Sequence, residues 1–392
     1  MNIRNAVLRL RHYEHWAIAT ICAVAFFVLA LLISNTSTSV PNEKLVSYLV
    51  DICKVAPAGK TYRDAPVPLL IDISNDRVMR RMGNAYTDVV DREKLYSLLQ
   101  VLNERDKYRY IMLDVNFPKN VDDPFNDSLY ALIDHMDRII VAACTDSNDN
   151  VNLLRNKLAT VFYNTSSKVP HFTKYPIYYN SQKSMALHMY EDINGKSVSQ
   201  KQPFTWRAPV ILIDREISTK PYQLGCEMLG DWIPWKKSFG LNLLSDTSLS
   251  DNHIILIGDF SEEGSDMHDT YAGKVSGPLI NYFTYLTLCD GHHRFNPIAL
   301  LLLFIMIWWH CLTYASGRGL LRRIADNQKN CTCRLILDLV DSLFGLLTVP
   351  LLFSLFSFIF FHEVYNIIII SFMLIFYKKF IIPVYNYFKH KQ

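Results

Sequence analysis

Net charge is almost absent from this sequence: 40 Lys and Arg stand against 37 Asp and Glu, leaving +3. That balance excludes a charge-driven reading as a nucleic-acid binder or as a receptor for strongly acidic partners. Catalytic signatures are absent too. Neither G-x-x-x-x-G-K-[ST] nor G-x-G-x-x-G occurs, so the glycine-rich phosphate cradles are excluded. There is no G-x-S-x-G nucleophile turn and no H-E-x-x-H zinc motif. With no nucleophile–base pair to name, the sequence reads as a protein without enzymatic function or cofactor. Metal frameworks are missing as well. Of eight cysteines, Cys331 and Cys333 form a lone C-x-C with no second pair and no nearby histidine.

What is present is an unequal distribution of apolar residues. Half the chain is apolar, and much of that lies in four runs. Residues 16–33 come close to the roughly 20 residues that cross a bilayer. Ser34-Asn35-Thr36-Ser37-Thr38 follows and is a poor cleavage site, so the run reads as an uncleaved anchor. A removed signal peptide is the other reading. The remaining runs predict transmembrane helices over 297–315, 335–361 and 364–383. Lys378 and Lys379 interrupt the last, and Pro383 weakens a helix there. His292-His293 precedes the second span and reads as an interface pair. Asp338 and Asp341 read as groups at the start of the third span rather than as a proton relay.

Basic residues set the expected orientation. Arg4, Arg9 and Arg11 precede the first span. Arg318, Arg322, Arg323, Lys329 and Arg334 lie in the 316–334 loop. Lys378, Lys379, Lys389 and Lys391 lie at the C-terminus. Four spans put all three groups on one side, with the tails 1–15 and 384–392 in the cytoplasm and residues 35–296 outside it. Cys53, Cys144, Cys226 and Cys289 then face an oxidising compartment, which permits disulfides without pairing them.

The 35–296 segment alternates short apolar runs with amphipathic ones. Val67-Pro68-Leu69-Leu70-Ile71-Asp72-Ile73 reads as a buried strand. Asp91 caps a helix with Leu95, Leu98, Leu99 and Leu102 on one face. Residues 110–115 and 138–143 are further strands, with a helix over 127–133 between them. Residues 253–258 are another strand, and a helix over 278–288 leads into the second span. Strand–helix–strand alternation is the signature of parallel strands buried on both faces. Residues 147–202 read as irregular with some antiparallel strands, and 210–213 as one of those. The expected fold is an α/β extracytoplasmic domain, with a mixed, partly parallel sheet and flanking helices, plus four transmembrane helices.

Over about residues 45–290 the order of these motifs resembles the second type of the CHASE family, an extracellular sensory domain associated with cyclases and histidine kinases. The resemblance rests on Leu70-Ile71-Asp72-Ile73-Ser74, on Arg92 opening a helix, and on Leu113-Asp114-Val115-Asn116-Phe117. It rests further on Ile255-Leu256-Ile257-Gly258-Asp259, then Asp266-Met267-His268-Asp269-Thr270, then Ser276-Gly277-Pro278. Tyr271 stands where the family often has proline, and Thr87-Asp88-Val89-Val90-Asp91 replaces its aromatic–proline element. The resemblance implies a sensory function, a bacterial inner membrane and a domain in the periplasm. Family members usually carry a cytoplasmic output domain, whereas this chain ends at Gln392 shortly after its last apolar run. Signalling to a separate partner is therefore expected.

Asp72 and Asp114 fall near the ends of expected parallel strands, where open α/β sheets bind ligands. With Asp259, Asp266, His268 and Thr270 they are the candidate ligand-binding residues. The competing reading is that Asp72 and Asp114 bind loop amides and hold the edge together. The partners admitted are the lipid bilayer, a small-molecule ligand, a membrane or envelope protein and a second copy of the chain. Nucleic acid is not among them. An assembly subunit docking through the aromatic stretch 232–239 is the alternative function.

Overall fold

Short apolar runs, each ended by a polar turn, become the strands of a parallel sheet in the unit Gly59–His293. The computed structural model describes residues 3–35, 48, 68–118, 120–143, 154, 157–161, 173–179, 181–200, 205–213, 222–223, 253–262, 266–316, 332, 340 and 344–391. In chain order the strands are β1 (Pro68–Asp72), β2 (Arg77–Met82), β3 (Ala85–Val90), β4 (Tyr110–Leu113), β5 (Val121–Asp122), β6 (Ile139–Ala143) and β7 (Leu158–Thr160). They continue as β8 (Tyr178–Tyr179), β9 (Gln182–Lys183), β10 (Tyr222–Gln223), β11 (Ile254–Gly258), β12 (Met267–Thr270) and β13 (Gly273–Ser276). The central sheet has the order β10-β1-β11-β4-β6-β7. All its described pairings are parallel, with Leu70 beside Leu256, Leu256 beside Met112 and Met112 beside Ile140. Among the described residues, antiparallel pairing occurs in three small ribbons, β3-β2-β5, β8-β9 and β12-β13, and in one isolated bridge.

Alternation along the strands assigns the two faces. Leu69, Ile71, Ile111, Leu113, Ile255 and Ile257 pack with Leu95, Leu98, Leu99, Leu129 and Ile133 from helices Arg92–Arg105 and Asn126–His135. Leu70, Met112, Ile140 and Leu256 face the other way, onto Met185 and Met189 of helix Met185–Asn194 and onto Ile280 and Phe283 of helix Gly277–Cys289. A sheet covered on both faces accounts for the unbroken apolar runs.

The expected Asp91 cap is present. Its carboxylate accepts from the Glu93 and Lys94 amides at 3.2 and 3.3 Å. Asp106, at φ 53°, closes that helix in the left-handed region. Asp91→Ala is expected to cost about 1 kcal/mol, read as a lower denaturation midpoint of the full-length protein; an unchanged midpoint refutes the cap.

Two expectations need correction. Residues 147–202 are not irregular throughout, because helix Met185–Asn194 lies within them, capped by Ser184 and ended by Gly195 at φ 62°. Its buried Met, Ala, Leu and Tyr positions lack the Asn and Ser bias of their surroundings, which hid it. Residues 210–213 form no strand beyond one antiparallel bridge between Val210 and Lys174. Between β11 and helix Gly277–Cys289 the chain forms the β12–β13 hairpin. Cys53, Cys144, Cys226, Cys331, Cys333, Asp338, Asp341 and the 232–239 stretch lie outside the described residues, and Cys289 forms no disulfide among the described residues.

The second unit comprises Met1–Ala58 and Arg294–Gln392. Among the described residues, three of its helices are long and apolar enough to cross a membrane: Tyr13–Ser34, Pro297–Ala315 and Ile367–Phe388. By length and composition the chain is a multi-pass membrane protein. Ala19, Ala23 and Ala30 are fully buried on the first helix, where small side chains permit close helix approach. There Trp16 meets Trp308 edge-on at 5.0 Å and Phe27 meets Phe304 at 5.7 Å.

Of the span expected over 335–361, the structure describes position 340 and the shorter apolar helix Gly345–Phe361, so that span is not shown. The last span, by contrast, runs straight through Lys378, Lys379 and Pro383. Lys378 lies 5.1 Å from the Tyr314 ring centroid, a cation–π contact that carries its charge. A π-helical turn, Tyr377–Ile381, precedes Pro383, and a second, Phe344–Thr348, precedes Pro350. Proline lacks an N–H and clashes with the carbonyl four residues back. A π turn shifts the hydrogen-bond ladder by one residue and lets the helix continue.

Candidate ligand site

β11 is the last strand of the sheet in sequence, yet it lies between β1 and β4. The helices that follow β4 and β11 pack on opposite faces of the sheet, so the crevice at the carboxyl ends of these strands is a topological switch point. Asp72 ends β1, Asp114 follows β4 and Asp259 follows β11. The candidate acids converge there as expected, but they have different jobs.

Asp72 is buried and fully engaged. One oxygen accepts from the Ser74 amide at 3.0 Å and the Phe260 amide at 3.1 Å; the other accepts from the Ser74 hydroxyl at 3.0 Å. It ties the turn after β1 to the segment after β11 and faces no open space. For Asp72 the edge-holding reading is the one the geometry favours.

Asp114 is different. The amide of Asn281, in the second turn of helix Gly277–Cys289, donates to its carboxylate at 3.1 Å. Tyr175 donates to the Asn281 carbonyl at 2.7 Å, which fixes the amide's orientation. Beyond Asp114 lies Asp266, whose carboxylate faces His268 Nε2 at 3.1 Å. Burial first, and the Asp266 charge second, push Asp114 up to about 7 against the opposing donation from Asn281. Asp114 still keeps part of its surface open.

That open surface lines a cavity of about 280 Å³. Its floor is Asp114, Asp259 and Val115 at the strand ends; the β2–β3 hairpin covers it with Arg77, Thr87, Asp88 and Val89. Gly83, at φ 61°, supplies the first central residue of the hairpin's two-residue turn, as a type II′ turn requires. Arg77 Nε donates to Asp88 at 2.7 Å, so these two charges cancel each other. Asp259 accepts from the Ser261 amide at 3.0 Å.

Thr270 does not join the site. Its hydroxyl donates to the Gly273 carbonyl at 2.6 Å and accepts from the Ala272 amide at 3.1 Å, so it builds the turn of the β12–β13 hairpin. Asp266 and His268 stand behind Asp114 and do not line the cavity. Arg92 opens its helix as the resemblance implies, but its guanidinium is buried 5.6 Å from the Tyr130 ring and 5.8 Å from the Phe117 ring. Sequence reasoning missed Asn281, Arg77 and Asp88. The signals were a lone Asn within an apolar helix and a Gly83-Asn84 dipeptide between two strand-length segments. Among the described residues no three His, Cys, Asp or Glu converge to hold a metal ion. Comparison of the chain with family models, with curated proteins and with solved structures gives no match.

Proposed function

We propose that this protein is a membrane-anchored ligand-binding sensor of the kind its resemblance to the CHASE family implies. In this reading the α/β domain lies in the periplasm of a bacterial inner membrane, both termini are cytoplasmic, and occupancy is reported through the spans to a separate protein. The observation that carries it is the cavity at the switch point, roofed by a hairpin and floored by Asp114 and Asp259. The orientation is supported by the clustering of basic residues in the two tails and the 316–334 loop.

Four crossings are part of the proposal. Their support is the way helix ends meet inside the membrane unit. Buried Glu363, just past helix Val349–Phe361, accepts from the Asn296 amide and the Tyr365 hydroxyl. The Asn366 amide donates at 2.9 Å to Ser34, which ends the first helix. The end of the first helix, the start of Pro297–Ala315 and the turn 362–366 thus share one level. That arrangement suits Gly345–Phe361 as a returning span.

A thermal-shift screen of envelope metabolites on the full-length protein in detergent tests the function. At least one compound is expected to raise the midpoint by several degrees, and Thr87→Trp, which fills the cavity from an exposed strand, should abolish that shift. If no compound stabilises the wild type, or every shift survives Thr87→Trp, the cavity is not a sensing site.

A further inference from the structure

The charges around the cavity do not balance. Arg77 contributes the positive charge of the lining, and it is committed to Asp88 through Nε at 2.7 Å and to the Asp88 carbonyl through Nη2 at 3.3 Å. Asp114 and Asp259 face the same space from adjacent strands, β4 and β11, which are hydrogen-bonded where the Asp114 amide donates to the Ile257 carbonyl at 2.8 Å. Strands so paired lie about 4.8 Å apart, so both carboxylates serve one end of a small cavity. Among the described residues they receive protein donors from Asn281 and the Ser261 amide. Acceptor capacity is left over on both. The lining also includes Ile73, Val89, Val90 and Val115, so apolar surface accompanies the two carboxylates.

We propose that this cavity takes a small organic cation, with its ammonium group hydrogen-bonded to Asp114 and Asp259 and its apolar part against Ile73, Val89 and Val115. A bare metal ion suits the site less well, because the described residues offer no three converging ligands. An ammonium has three donors and spreads them over acceptors that need not converge on a point. An anion would meet two carboxylates and an arginine already paired.

The cation also resolves a conflict internal to the fold. Asp114 meets the charge of Asp266, itself in contact with His268, on the β12 side, Asn281 from the helix, and shares the cavity lining with Asp259, Arg77 and Asp88. A positive charge in the cavity offsets the Asp266 repulsion and favours the ionised form of Asp114. Binding therefore releases a proton at pH 6 and none at pH 9, and affinity rises with pH before levelling off.

The inference rests on the ligand-binding reading above, and the test separates the two. Full-length protein in lipid nanodiscs is titrated with three probes of one shape: 2-phenylethylammonium, 2-phenylethanol and phenylacetate. Wild type, Asp259→Asn and Thr87→Trp are compared by saturation-transfer NMR and calorimetry. The ammonium is expected to bind about tenfold tighter than the alcohol, a difference of about 1.4 kcal/mol. Asp259→Asn should weaken it several-fold, and Thr87→Trp should abolish it. If the alcohol or the carboxylate binds as tightly and Thr87→Trp removes that binding, the cationic class is overturned while the sensing cavity stands. If no probe binds, or binding ignores Thr87→Trp, the cationic class is overturned, and the metabolite screen alone decides the sensing cavity.

Discussion

Gly258→Ala is expected to destabilise the α/β domain by about 2–4 kcal/mol, a large effect for one methyl group. Gly258 ends β11 at the centre of the sheet, and a Cβ there would lie 2.4 Å from Cγ of Pro278 and 3.3 Å from Cβ of Asp114. Neither neighbour can give way cheaply. The proline ring is rigid and occupies the first turn of helix Gly277–Cys289, so relief means shifting that helix off the sheet. Ile280, Phe283 and Leu286 on the same helix are buried against the sheet, and Asn281 holds Asp114. The strain therefore spreads into both the core and the ligand site. Chemical denaturation of the full-length protein measures the loss. Pro278→Ala in the same background removes the atom struck first, and the double variant is expected to recover part of the loss as a favourable coupling. A Gly258→Ala protein with an unchanged midpoint would sink the close packing of strand end, proline and Asp114.

The contrast between Asp72 and Asp114 marks where sequence reading stops. Both are acids at the end of a buried parallel strand, and local sequence offers the same two roles to each. What separates them is distant. Asp72 is satisfied by the amide of Phe260, 188 residues further on, whereas Asp114 meets Asn281, 167 residues further on, and the charge of Asp266. The scaffold that presents them was legible, because strands buried on both faces must read as unbroken apolar runs, and Leu95, Leu98, Leu99 and Leu102 cannot share a face except on a helix. The β2–β3 hairpin was not. It is largely exposed, with Met79 and Tyr86 turned to solvent and Arg80 and Arg81 between them, so neither a period of two nor an apolar run marks it. The short strands β7 and β10 exist through their neighbours' hydrogen bonds more than through propensity. In the membrane unit, Lys378, Lys379 and Pro383 read as a break. Contact with Tyr314 and a π turn, both set by tertiary structure, turned that break into a continuous helix.

Asp114→Asn is expected to stabilise the protein, and to do so only above a certain pH. In the unfolded chain Asp114 has the ordinary carboxylate value near 3.8; in the fold it is pushed up to about 7. Between those limits the folded state holds a proton that the unfolded state has released, so stability falls as pH rises. Below pH 4 both states are protonated and the penalty is gone; above pH 7 it is present in full. Asparagine removes it, keeps a carbonyl oxygen for the Asn281 amide, and brings an amide that can donate toward Asp266. Discounted for the part of Asp114 that faces the cavity, the gain at pH 8 is about 2 kcal/mol. It should shrink steadily toward pH 4. Asp266→Asn should produce a smaller gain of the same pH form, because it removes the repulsion and leaves the burial. Denaturation midpoints of wild type and both variants, taken at pH 4, 6 and 8, decide the matter. A gain that is equal at all three values, or a loss at pH 8, would mean that Asp114 is ionised in the fold without penalty, and that its carboxylate is held by donors in the way Asp72 is.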